Sequence, residues 1–157
     1  MSNASPVRQR LASGGLWEDT FGYSRAVRTG DRIVVSGCTA VVDGEVLAAG
    51  DADAQMRLAL DAVVDALTAL GGCLGDVILT RMYVVSRADC DAVGRVHRER
   101  FADVRPAATM VLVAGLIDEE MLVEVEVEAR VGSAKPYDHR GPYDHRGPKI
   151  AAAGSVE

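Results

Sequence analysis

Cysteine, histidine and aromatic residues are all scarce in this chain: three Cys, three His, and 4 % for Phe, Trp and Tyr together. Cys38, Cys73 and Cys90 are odd in number, widely spaced and in no CxxC pair. Nothing resembling a secretory leader accompanies them. A disulfide framework is therefore not expected, and reduced thiols in a cytoplasmic protein are. So few histidines, with no CxxC, give no reason to expect a metal cage, and no cofactor is expected. No apolar run approaches the length that crosses a bilayer, so a membrane role is not expected. A basic stripe is also missing. The formal net charge is -6, which opposes capture of a phosphate backbone, and the shortage of aromatic rings leaves little to stack on bases; nucleic acid is not an expected partner.

What is present is ample for one folded domain: 157 residues, 48 % of them apolar. Residues 1–20 read as an N-terminal extension whose start, "MSNASP", resembles the remnant of an expression tag. Residues 21–132 form the body. Residues 133–157 read as a flexible Pro/Gly-rich tail in which "PYDHRG" occurs twice, at Pro136–Gly141 and Pro142–Gly147. There His139 and His145 accompany Asp138 and Asp144, so a metal site is conceivable, but the composition favours a flexible segment.

Within the body the periodicities alternate. "YSRAVRTGDRIVVSG" predicts a hairpin turning at Thr29-Gly30-Asp31, and Asp43–Val46 predicts another turn. Asp51–Leu70 places Met56, Leu60, Val63, Leu67 and Leu70 at helical spacing, with Asp51 and Asp53 at the N-terminus and Gly71-Gly72 as the stop. Asp76–Ser86 reads as a strand. Asp89–Phe101 reads as a second helix with Cys90, Val93, His97 and Phe101 on one stripe, blocked from continuing by Pro106. "TMVLVAG" and "MLVEVEVEARV" complete an α/β (α+β) order, β-β-α-β-α-β-β, with two helices covering one face of a mixed sheet. The other face must then meet water or a copy of the chain.

The last strand sharpens that point. Alternation sets Val123, Val125 and Val127 on one face and Glu124, Glu126 and Glu128 on the other. Stacked carboxylates repel, so they must be solvated, paired or in use. Arg81, alternating with Leu79 and Tyr83, is the expected structural partner for one of them.

Three blocks, "GYSRAVRTGDRIVVSG", "DVILTRMYVVSRAD" and "RPAATMVLVAGL" followed by "LVEVEVEA", resemble the Rid family (YjgF/YER057c/UK114). The resemblance implies a chorismate-mutase-like fold, a homotrimer with clefts between subunits, and a small-molecule ligand. It also implies hydrolysis of a reactive imine, enamine or related metabolite without a cofactor. It maps Glu124 onto the residue that holds or activates water, and Tyr23, Ser36 and Gly37 onto the cleft lining. Ala108 stands where the deaminase branch has a carboxylate-clamping arginine, Met110 where the family has a cysteine, and Gly94 where deaminases tend to have asparagine. Alanine offers no charge-assisted hydrogen bond, so 2-aminoacrylate is not the expected substrate. Arg25 and Arg105 are the candidate replacement cations. Ser36 has no histidine to activate it and is expected to act as a hydrogen-bond donor. Cys38, two residues further along, is expected on the face of Ser36, either as a small buried hydrophobe or as a cleft thiol. His97 reads as a packed histidine. The competing function is a noncatalytic trimer that binds a small metabolite.

Overall fold

A computed structural model describes residues 7–134; the PYDHRG tail, and with it the metal reading of His139 and His145, lies outside the described residues. In chain order the elements are β1 (Arg8–Leu11), α1 (Leu16–Phe21), β2 (Ala26–Thr29), β3 (Arg32–Cys38), β4 (Val41–Val42) and β5 (Glu45–Val46). They continue with α2 (Ala52–Ala69), β6 (Val77–Val84), α3 (Cys90–Phe101), β7 (Ala107–Leu112) and β8 (Val123–Arg130). The expected order is the series β2, β3, α2, β6, α3, β7, β8. The segment read as an extension adds β1, which pairs with β2, and the short helix α1. The sheet runs β1-β2-β3-β8-β6-β7, with β6 and β7 parallel and the other neighbours antiparallel; β4 and β5 form a separate hairpin. Among the described residues no helix is long and apolar enough to cross a membrane.

Local chemistry sets the ends of α2. The Asp51 carboxylate accepts from the Ala54 amide at 3.0 Å, satisfying a backbone donor that a helix start leaves open. At the other end Gly71 takes a left-handed conformation, φ 77°, and Arg28 donates to the Leu70 carbonyl. The apolar stripe of α2, Met56, Leu60, Val63 and Leu67, then packs with Val93, Val96 and Phe101 of α3 on Ile33, Val35, Val123, Val125 and Val127 of the sheet. Each of those valines is at most 3 % exposed, and burying one contributes roughly 1.5 kcal/mol or more.

One buried polar side chain links this core to the level of β8. Gln55 is fully buried; it donates to the Glu120 carbonyl (2.7 Å) and the Ala48 carbonyl (3.3 Å) and accepts from the Leu122 amide (2.8 Å). Those bonds hold the approach to β8 against α2 and so fix where its alternation begins. The valines consequently face the helices, and the glutamates face the side of the sheet that α2 and α3 leave open.

Candidate functional site

The three acids of β8 have three different environments. Glu128 receives a two-point grip from Arg32, Nε to Oε1 at 2.8 Å and Nη2 to Oε2 at 2.9 Å. Glu126 accepts from Arg81 Nη1 at 2.7 Å, as expected for that arginine; burial first and the Glu126 carboxylate second raise the pKa of the neighbouring Tyr83 phenol. Glu124 is half-buried, and no hydrogen bond or ion pair among the described residues reaches its carboxylate. Its pKa is raised above 4.5, by burial first and by the Glu126 charge second, with Arg25 acting in the opposite direction. A carboxylate so placed holds a proton more readily than an exposed one.

Its setting is made by an irregularity in β3. Val35 pairs with Val127 and Cys38 with Val125, so Ser36 and Gly37 together oppose Glu126 alone. The extra residue lays Gly37 under Glu124: a Cβ at position 37 would stand 1.6 Å from Glu124 Oε1. Glycine is needed there because the carboxylate occupies that space. The bulge also corrects the expectation that Ser36 and Cys38 share a face. Cys38 returns to the core side opposite Val125 and is 1 % exposed, with burial pushing its thiol pKa up. Its burial is that of a small core residue.

The strand beside the bulge completes this half of the site. Arg25 Nη1 donates to the Gly37 carbonyl and lies 3.4 Å from Cys38 Sγ. The Ser36 hydroxyl donates to the Ser24 carbonyl at 2.7 Å. Ser36 is thus a hydrogen-bond donor, here to the backbone of its own chain, and its oxygen can also accept. Tyr23, next to Ser24, is 40 % exposed. Tyr83 pairs in register with Glu124 across β6 and β8. Alternation with Arg81 was enough to place Tyr83 on this face, but nothing in the sequence announced the influence of Glu126 on it.

The remaining candidates lie elsewhere on the chain. Ala108 and Met110 pair with Thr80 and Met82, which are buried on the helix side, and a side chain at Gly94 of α3 would meet Met110 Cε at 3.8 Å. Ala108 and Met110 are thus on the opposite sheet face from Glu124. Arg105 sits just before Ala107, which is level with Leu79 and Glu128 at the far end of β8; its Nε donates to the Ala102 carbonyl. Within one chain Arg25 is the cation beside Glu124, and Arg105 is not. Arg105 instead borders a groove of about 620 Å³ shared with His97, Phe101 and Pro106. His97 is packed as expected. Its Nε2 is 2.8 Å from the buried Thr80 hydroxyl, its ring lies 4.7 Å from that of Phe101, and burial lowers its pKa.

The chain is thus a small α+β protein: a mixed sheet with two helices on one face and, on the other, a half-buried glutamate that no hydrogen bond or ion pair among the described residues reaches. A family profile described as Endoribonuclease L-PSP matches residues 18–131. The chain belongs to this family, also known as YjgF/YER057c/UK114 or Rid. It is 42 % identical over 129 residues to an uncharacterized protein of Streptomyces coelicolor, covering 82 % of this chain and 96 % of that one. It is 33 % identical over 110 residues to the 3-aminoacrylate deaminase RutC of Acinetobacter baylyi, covering 69 % and 86 %. Among solved structures, a YjgF/YER057c/UK114 family member from Mycobacterium tuberculosis shares 41 % identity with a TM-score of 0.73, covering 80 % of this chain and all of that one.

Proposed function

We propose that this protein hydrolyses a reactive imine, enamine or related small metabolite, with Glu124 handling the proton of the attacking water. The observation that carries this reading is the contrast along β8: Glu126 and Glu128 have cationic partners, and Glu124 has neither a hydrogen bond nor an ion pair among the described residues. The ionised carboxylate takes a proton from water as the oxygen adds to the C=N carbon. That proton returns to nitrogen to give the carbinolamine; its hydroxyl proton then passes by way of the carboxylate to nitrogen as the C–N bond breaks, and a carbonyl compound and ammonia leave. An enamine enters the same route after protonation on carbon. The relation to RutC, whose name gives 3-aminoacrylate as its substrate, supports the reaction class. Ala108 lacks the clamp expected of the deaminase branch, so a carboxylate on the substrate has to be met by a cation other than residue 108.

The site is completed by a second copy. Glu124, Gly37 and Arg25 lie on one side of the sheet and Ala108 and Met110 on the other, so a single cleft that uses both sets needs two chains. A homotrimer with three such clefts satisfies this. Ammonia release from imines generated in situ tests the reaction. Turnover by the native protein and its loss in Glu124→Gln are expected; equal rates for the two would remove the proposal.

The same Ala108 motivates a noncatalytic alternative, a trimer that binds and buffers a metabolite. Thermal shift over a metabolite set separates the two, since stabilisation by a ligand that is never turned over favours binding alone. RNA cleavage is disfavoured by the acidic sheet face, which repels phosphate.

A further inference from the structure

Resting on the reading of Glu124 as the reacting carboxylate, we propose that Arg25 is the ligand-binding cation of the site and grips a carboxylate on the substrate. The Arg25 guanidinium is half-buried and anchored through one nitrogen only: Nη1 meets the Gly37 carbonyl and Cys38 Sγ. No hydrogen bond among the described residues uses its Nε or Nη2. That edge is the one whose two parallel N–H groups match the two oxygens of a carboxylate. The nearby acids do not occupy it. Glu18 influences Arg25 through space, but its carboxylate accepts from the Ser13 amide and hydroxyl, both at 2.8 Å. Glu124 also feels the Arg25 charge, yet no ion pair joins them.

An arginine pinned at one nitrogen, beside a glutamate it does not pair with, sets a positive group next to a proton-exchanging one. A carboxylate on the Arg25 edge would set the adjoining carbon of a small imine or enamine toward Glu124. The anchor matters as much as the charge. By holding Nη1 on the same Gly37 that underlies Glu124, the protein fixes the separation between the gripped end of the ligand and the end that reacts.

The test is binding of two probes of nearly equal shape, pyruvate and its neutral amide pyruvamide, to the full-length protein by isothermal titration calorimetry. Native protein should bind pyruvate at least about tenfold more tightly than pyruvamide. Arg25→Gln should abolish that preference. Arg25→Lys, which keeps the charge and a donor for Gly37 but not the fork, should retain only part of the preference. It decides the matter if Arg25→Gln does not fold. Equal affinity of native protein for the two probes, or a preference that survives both substitutions in full, overturns the assignment. Failure of the hydrolase reading has a different signature: carboxylate preference persists in native protein and in Glu124→Gln while no imine is turned over by either.

Discussion

Glu124 and its neighbours Glu126 and Glu128 are the same residue type on the same strand face, spaced by two, yet only Glu126 and Glu128 are held by arginines. The difference comes from what crosses the face at each level. Arg32 on β3 and Arg81 on β6 stand beside Glu128 and Glu126, whereas at the level of Glu124 the β3 bulge brings glycine backbone and β6 brings Tyr83. Exposed ion pairs like those of Glu126 and Glu128 contribute little to stability. A carboxylate that is half desolvated and left without a partner costs stability, and such a cost is a mark of a site. One strand therefore carries both arginine-paired carboxylates and one left without such a partner, and backbone geometry sets them apart.

The comparison can be broken at its sharp end first. Glu124→Gln removes the proton acceptor with almost no change in shape, and a fall in kcat/KM of about 10²–10⁴ is expected in a steady-state ammonia assay. Gly37→Ala leaves the core untouched but places a methyl where Glu124 Oε1 now lies. Because a flexible side chain yields more readily than backbone, the expected result is loss of about tenfold to a hundredfold in activity with a melting temperature within about 2 °C of native. By contrast, a double-mutant cycle on Arg81 and Glu126 should return a coupling of about 0.2–1 kcal/mol, shrinking in high salt.

Stability against pH gives the smallest effect, with a defined sign. Because the folded pKa of Glu124 lies above the unfolded one, the native state binds more protons between the two values. The contribution of this residue to stability therefore falls as pH rises through that window. Glu124→Gln should then raise the melting temperature at pH 7, by about 1–3 °C, and the gain should fade as pH drops below 4.5, where both states are protonated. A scanning-calorimetry series across that range checks it.

Much of the fold was legible because its signals are periodic. The spacing from Met56 to Leu70 and the alternation from Val123 to Glu128 each permit one arrangement against a core, and Arg81 followed from alternation as well. The bulge was not legible. Nothing in "VVSGC" distinguishes a regular strand from one carrying an extra residue, and that single residue moved Cys38 from the site to the core and put Gly37 beneath Glu124. The commitment of the Ser36 hydroxyl to Ser24 was equally hidden, since it depends on how closely two neighbouring segments approach. Motif matching grouped Ala108, Met110 and Arg105 with Glu124, but a shared motif list does not say which sheet face each residue takes.

The central claim is that Glu124 stands apart from the acids beside it because it is desolvated and unpaired. A carboxyl-detected carbon-13 NMR titration of the full-length protein, assigned through Glu124→Gln, measures this directly. A Glu124 midpoint above 4.5 is the predicted result; a midpoint at or below that value, as for a solvated or arginine-held carboxylate, would contradict the account.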